Sequence, residues 1–187
     1  MRKAKEESNP RSYGFEKQSG NIPHGLRVHS RVDEIVIFPE SESWETKSGG
    51  KLVVPFVFNF EEMKKFFSYE ERERSTGKED IRGLRMYRVS ELKNGVIGAM
   101  EFHKIRNEII TVIKGSAQID AEDIYGGKKS KILLSGNSMM IPNYIMHTYK
   151  ILEDDSELIV IANTTYNAKD KSTHDSFSVE EFEALKQ

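Results

Sequence analysis

Two carboxylates and two imidazoles lie near the middle of the chain, at Glu101, Glu108, His103 and His147. Such side chains suit a divalent ion of Zn, Mn, Fe or Ni, and the mixture does not select among these metals. The same groups can also move protons, because imidazole titrates near neutral pH and a desolvated carboxylate is a stronger base. A metal centre with these four ligands and an acid–base site are therefore alternative hypotheses.

The acid–base hypothesis makes Glu101 the base. Met100 and Phe102 flank it in the sequence, and we expect partial desolvation to make its carboxylate more basic. Glu101 would then remove a proton beside a carbonyl group, and His103 or His147 would return that proton to a neighbouring atom.

Other polar residues have both a catalytic and a structural interpretation. A tyrosine hydroxyl can donate to a developing enolate. The candidates for this role are Tyr144, Tyr149 and Tyr166. The structural alternative makes the polar groups hydrogen-bonded parts of a core, with Glu108 paired to Arg106 or Lys104.

Short apolar runs from Leu84 onward predict the elements that position these residues. They are separated by turn residues at the spacing of an all-β sandwich or barrel. The predicted strands cover residues 84–89, 96–102, 109–113, 116–120, 132–134, 138–141, 146–152 and 158–162. Side chains two residues apart on a strand share a face, so Glu101 and His103 are predicted to point the same way.

Two short helices complete the prediction. Asn59 with Glu62, and Ser178 with Glu181, have the spacing of helix-start capping boxes. Apolar residues at helical spacing follow each start, which predicts one face packed on the core.

The region before the first helix predicts self-association. Strand-like runs at 34–38 and 52–58 occur there, and Pro55 places the second run at a sheet edge or bulge. An exposed apolar edge invites pairing with another chain, so we expect a homodimer. Residues 1–33 mix basic residues with Pro and Gly without any period, which predicts a flexible N-terminal arm.

Composition limits the class of protein. A chain of 187 residues suits one core, so residues 34–187 are expected to form a single domain. A net charge of −2 gives no reason to expect nucleic acid or an anionic membrane as a partner. No cysteine is present, which excludes disulfide and thiolate chemistry. No apolar stretch follows the basic N-terminus, and the longest apolar run, residues 52–58, is far too short to span a bilayer, so we expect a cytoplasmic protein.

Two segments resemble the paired motifs of cupins. The first is Gly95-x5-Glu101-x-His103-x4-Glu108-x6-Gly115, with glutamate in place of the first of two histidines. The second is Gly136-x5-Pro142-x-Tyr144-x2-His147, with tyrosine where the family usually has glycine. The resemblance implies a mainly β fold, a double-stranded β-helix or jelly-roll barrel with one or two short helices. It also implies that the four polar residues converge inside that barrel.

Residues 95–182 resemble more specifically the sugar-nucleotide 3,4-ketoisomerases of deoxysugar pathways. The likeness rests on Glu101-Phe102-His103-Lys104, Lys114-Gly115-Ser116 and Tyr166-Asn167-Ala168-Lys169-Asp170. It implies a sugar or nucleotide-sugar ligand and metal-free proton transfer. Together with the residues singled out above, the predicted catalytic residues are Glu101, His103, His147 and Tyr149, and the predicted substrate contacts are Lys104, Arg85, Tyr144 and Tyr166.

The chain departs from that family at two positions before the shared Lys104. Gly98-Ala99 replaces an Arg-Gly pair, and Glu101 replaces a histidine. Loss of the arginine removes a bidentate contact, and the missing positive charge would have to come from Arg82, Arg85, Arg88 or Lys104. Two alternatives to the isomerase therefore stay open: a metal-dependent isomerase or dioxygenase with one divalent transition metal, and a noncatalytic carbohydrate-binding module.

Overall fold

Residues 29–38, 42–69 and 81–186 are described by the computed structural model, and within them the chain forms eleven strands and two short α-helices. The strands are β1 (Val36–Ile37), β2 (Glu42–Glu45), β3 (Lys51–Val54), β4 (Arg82–Leu92), β5 (Ile97–Glu101), β6 (Glu108–Lys114), β7 (Ser116–Asp123), β8 (Lys128–Leu134), β9 (Ser138–Ile141), β10 (Ile145–Ile151) and β11 (Ser156–Thr164). The helices are α1 (Phe60–Phe66) and α2 (Val179–Leu185).

Two antiparallel sheets enclose one core. The first has the order β1-β9-β6-β11-β4 and the second the order β5-β10-β7-β8. The main core cluster takes Val112 and Val160 from the first sheet and Ile119 and Ile151 from the second. The predicted mainly β, cupin-like architecture is confirmed.

Side-chain alternation explains which residues reach the interior. Along β4 the exposed and partly buried residues alternate, so Tyr87 and Val89 pack against the core while Leu84 and Met86 face solvent. Arg85 has the parity of Tyr87 and lies on the same inward face. The observed strand includes the predicted run 84–89 and is longer at both ends.

Both predicted helix starts are confirmed by their caps. At α1 the Asn59 side chain accepts the Glu62 N–H at 2.9 Å, and the Glu62 carboxylate accepts the Asn59 N–H at 2.9 Å. Ser178 makes the equivalent reciprocal pair at α2. Phe66 and Phe182 are the buried residues of the two helices. Neither described helix is long and apolar enough to cross a membrane.

The predicted strand over residues 52–58 is too long. Strand β3 ends at Val54, because Pro55 has no N–H to continue a ladder. Phe56 and Phe58 instead turn inward and pack on Phe38, with ring centroids 5.2 and 5.7 Å away. The partner strand β2, which is polar in sequence, was not predicted.

Residues just before position 34 also pack on the barrel. The Val32 N–H donates to Asp123 at 3.0 Å, and the Arg31 guanidinium lies 4.7 Å from the centre of the Tyr125 ring. Residues 29–33 of the predicted arm are therefore held against the second sheet. The other residues of that arm, 1–28, lie outside the described part of the chain.

Candidate active site

Strand pairing brings the four predicted residues together. Glu101 ends β5 and lies opposite His147 on β10, while Glu108 begins β6. His103 lies in the segment between β5 and β6. Its Nε2 is 3.8 Å from Glu101 Oε1 and 3.6 Å from Glu108 Oε2.

Glu108 is the centre of this group and is 3% exposed. Its Oε1 accepts hydrogen bonds from Arg106 Nη1 at 2.9 Å and from the Tyr87 hydroxyl at 3.0 Å. Its Oε2 faces His147 Nε2 at 3.4 Å as well as His103. Both carboxylate oxygens are therefore engaged, and the predicted pairing of Glu108 with Arg106 is present.

The charges of this group stabilise one another. Burial by itself would raise the pKa of Glu108, but the neighbouring His103 and His147 hold it well below its ordinary value. Burial would likewise lower the pKa of His147, and the contact with Glu108 raises it instead. The pKa of Tyr87 is raised by burial and by the Glu108 charge, so this hydroxyl stays a donor.

Backbone carbonyls orient both imidazoles. His103 Nδ1 lies 2.6 Å from the Asp175 carbonyl oxygen, and His147 Nδ1 lies 3.1 Å from that of Ile145. A carbonyl can only accept, so each Nδ1 carries the proton and donates it. The Nε2 atoms are thereby turned toward Glu108.

Three of the four residues have the arrangement of a metal-ligand set. His103, Glu108 and His147 offer ligand atoms that all lie within 4.8 Å of one another, and Glu101 is not part of this group. The bonds from each Nδ1 to a carbonyl are also typical of metal-bound histidines. Arg106 Nη1, however, lies 3.4 Å from His103 Nε2. That guanidinium would repel a divalent cation bound between these atoms.

Glu101 is the accessible carboxylate, with 28% of its side chain exposed. The rest of the side chain is covered, so partial desolvation of this carboxylate stays a prediction. Met100 is half-exposed, and Phe102 packs on Tyr144 and Phe182 in a separate cluster.

Strand β5 is distorted next to Glu101. Ala99 and Met100 have φ angles of 63° and 58°, and the pairing with β10 shifts register between His147 and Thr148. Positive φ is unfavourable for residues with a Cβ atom. Ala99 also stands where the ketoisomerase resemblance has glycine, which adopts this conformation without cost.

We expect Ala99→Gly to stabilise the protein by about 0.5–1 kcal/mol, since relief of the left-handed strain exceeds the entropy lost by the added glycine. Denaturant unfolding measures the change. Ala168→Gly, in an exposed loop without positive φ, is the control and should be neutral or slightly destabilising. Equal effects of the two substitutions would contradict the interpretation.

Arg85 lies at the edge of the polar group. Its guanidinium is 5.3 Å from the Tyr87 ring centre and 4.9 Å from that of Tyr166. Burial and the positive charge of Arg106 lower its pKa, and its buried Nε has no hydrogen-bond partner. Among the described residues no carboxylate forms an ion pair with it. Arg85 is therefore a cation available to an anionic ligand.

Three of the remaining predicted site residues, Tyr149, Tyr166 and Lys104, are at least partly exposed to solvent. Tyr149 is half-buried, and burial with the nearby Glu101 charge raises its pKa. Tyr166 is 50% exposed and stacks on His174 at 4.8 Å. The Lys104 ammonium lies over the Phe177 ring at 3.9 Å.

Tyr144 differs from this set, because it is fully buried. It packs with Phe102, and its ring centre is 4.0 Å from that of His29. The predicted substrate contact through Tyr144 therefore does not fit its packed position.

Two residues of the site, Tyr87 and Asp175, were not predicted from the sequence. Tyr87 follows Arg85 by two residues on β4, so the strand period could have placed it on the inward face. Asp175 lies in a segment without a regular period, and nothing in the sequence connects it to His103.

Comparison with solved structures supports the fold. The chain is similar to a 3,4-ketoisomerase from Helicobacter canadensis at 16% identity, with a TM-score of 0.58 and coverage of 82% of this chain and 97% of that chain. A mutant of the 3,4-ketoisomerase QdtA from Thermoanaerobacterium thermosaccharolyticum, in complex with TDP-4-keto-6-deoxyglucose, matches at 15% identity and TM-score 0.52, with 79% and 89% coverage. A dTDP-4-dehydrorhamnose 3,5-epimerase from Bacillus anthracis, with TDP and PPi bound, matches at 13% identity and TM-score 0.56, with 81% and 82% coverage.

A sequence search of curated proteins finds no match. A family model does match residues 61–181, well over half of the chain, including every residue of the polar group. The resemblance to the ketoisomerase type is thereby confirmed at the level of the family. The chain belongs to the family described as FdtA: WxcM-like, C-terminal.

Proposed function

We propose that this protein isomerises a nucleoside-diphosphate keto sugar by moving a proton between the carbonyl carbon and its neighbour. The observation that carries the proposal is the pair of Glu101 and His103. An accessible carboxylate lies 3.8 Å from a buried imidazole whose orientation is fixed. A base and an acid at this separation can act on adjacent atoms of one substrate.

The proposed reaction uses each group twice. Glu101 takes the proton from the carbon beside the carbonyl, and the electron pair forms a carbon–carbon double bond while protonated His103 gives its Nε2 proton to the carbonyl oxygen. Glu101 then returns a proton to the former carbonyl carbon, and neutral His103 takes the proton of the adjacent hydroxyl. The carbonyl has moved by one carbon, and both residues are restored.

The rest of the group supports this chemistry. Glu108, held by Arg106 and Tyr87, places a carboxylate 3.6 Å from His103 Nε2, where it can balance positive charge on the ring during proton transfer. Arg85 is suited to a diphosphate or to the developing enediolate, since it has no anionic partner among the described residues. Tyr166 is half-exposed beside Arg85, so its ring can border the same ligand. The ligands named for the similar structures, TDP and TDP-4-keto-6-deoxyglucose, are of this chemical class.

Incubation of the protein with TDP-4-keto-6-deoxyglucose in deuterated water tests the proposal. We expect NMR to show the 3-keto isomer and deuterium at the sugar carbons that exchange. Binding of several activated keto sugars without any exchange would favour the noncatalytic carbohydrate-binding alternative.

A metal-dependent enzyme is the second candidate, favoured by the arrangement of His103, Glu108 and His147. These residues would hold the ion, which would polarise a substrate oxygen when bound. Elemental analysis of protein purified without added metal distinguishes the candidates. Stoichiometric metal that is lost in both His103→Ala and His147→Ala would favour this one.

A homodimer is also proposed, on the evidence of the β2–β3 hairpin. Trp44 and Leu52 are paired across it and are 50% and 40% exposed. The hairpin pairs with no other described strand, and an isolated two-stranded hairpin is at best marginally stable. We expect sedimentation to show a dimer at micromolar concentration and Trp44→Glu to weaken it. A wild-type monomer would contradict this.

A further inference from the structure

Asp175 binds the segment that connects β5 to β6. Its carboxylate accepts three consecutive backbone N–H groups, from Lys104 at 3.3 Å, Ile105 at 2.9 Å and Arg106 at 2.8 Å. The residue is 1% exposed. Consecutive N–H groups that converge on one anion form a rigid nest, so this carboxylate fixes the backbone of residues 104–106.

The backbone of Asp175 also binds the residue just before that segment. Its carbonyl oxygen accepts the His103 Nδ1 proton at 2.6 Å. Two residues later, Phe177 and Phe102 exchange backbone hydrogen bonds of 3.0 and 3.2 Å. One short C-terminal segment therefore holds both neighbours of His103 along the chain.

The segment that Asp175 fixes carries Arg106 and directly follows His103. Arg106 reaches Glu108 at 2.9 Å and lies 3.4 Å from His103 Nε2. A displacement of residues 104–106 would move the guanidinium and would release His103 from its carbonyl partner. Both changes would alter which ring nitrogen of His103 carries the proton.

We infer that Asp175 is a positioning residue, which sets the tautomer of His103 and the placement of Arg106 through its carboxylate and carbonyl together. The consequence for turnover depends on the proposed isomerase function. The effect on the His103 tautomer does not depend on that function, because it follows from the hydrogen bonds alone.

Asp123 provides a matched control for Asp175. It is also buried, and its carboxylate also accepts three backbone N–H groups, from Val32 at 3.0 Å, Tyr125 at 3.0 Å and Gly127 at 2.8 Å. It makes no contact with His103, Arg106 or Glu108. A purely structural role for Asp175 predicts the same consequences for Asp175→Asn and Asp123→Asn.

The experiment compares these two variants by thermal unfolding, steady-state kinetics and ¹H–¹⁵N spectra of the His103 ring at alkaline pH. Both should lower the melting temperature, because an amide donor replaces an acceptor that faces N–H groups. We expect Asp175→Asn alone to lower kcat by about 10–100-fold with KM changed less than about threefold, which is typical of residues that orient a functional group. It should also convert an Nδ1-protonated ring into a mixture of tautomers.

An unchanged His103 tautomer in Asp175→Asn, or an equal change in Asp123→Asn, would overturn the inference. If Asp175→Asn does not fold, the wild-type spectrum decides, since an Nε2-protonated His103 would contradict the bond to the Asp175 carbonyl. If the wild type has no turnover while the tautomer changes as expected, the proposed function fails and the positioning role stands.

Discussion

Glu108→Gln is expected to destabilise the folded protein by about 3–5 kcal/mol, the cost typical of leaving a buried charge unpaired. The amide cannot neutralise Arg106, whose guanidinium is buried at 2.9 Å from the carboxylate. It also removes the charge that raises the pKa of His147. Denaturant unfolding at neutral pH measures the loss.

Glu122→Gln is the matched control, because that carboxylate pairs with Lys186 at 2.7 Å and both side chains are partly exposed to solvent. Surface pairs contribute about 0–1 kcal/mol, so the control should change stability little. If Glu108→Gln and Glu122→Gln lower the free energy of unfolding equally, the carboxylate of Glu108 does not hold the buried polar group together.

Glu108→Gln should also change how the stability of the protein depends on pH. The pKa of Glu108 is lowered on folding, so its contribution is present above the ordinary carboxyl value of 4.5 and is lost as the pH falls below it. The pKa of His147 is raised, so its contribution is present below 6.5 and is lost as the pH rises through the folded value. We expect maximal stability between these limits and a flatter profile in Glu108→Gln.

The spacing of four residues was enough to predict the barrel and the centre of its site. Glu101, His103, Glu108 and His147 converge because the two cupin-like motifs fix which strands carry them. Both helix starts were also predictable, since a capping box is encoded within four residues. In each case the signal lies within a few consecutive residues or follows the two-residue period of a strand.

What could not be predicted depends on contacts between distant segments. Asp175 reaches the β5–β6 segment across about seventy residues, and its hydrogen bonds go to backbone groups that every sequence has. The distortion of β5 beside Glu101 was not predictable either. Ala99 and Met100 have positive φ angles there, and a local irregularity of this kind is not encoded in a hydrophobic period.

Glu101→Gln is expected to lower turnover by at least about 100-fold while KM changes less than about threefold, since the amide keeps the shape and cannot accept a proton. The side chain is partly exposed, and its contact with His103 Nε2 is long at 3.8 Å, so we expect a smaller loss of stability than in Glu108→Gln. Glu45→Gln, on the exposed hairpin, should leave turnover as in the wild type.

The most direct test of the proposed chemistry is incorporation of solvent deuterium into a bound keto sugar by wild type and by Glu101→Gln. We predict that the wild type incorporates deuterium at the carbon next to the carbonyl, whereas the variant binds the sugar with similar affinity and incorporates none. Incorporation at the wild-type rate by Glu101→Gln would contradict this account, and the role of the base would pass to His103 or His147.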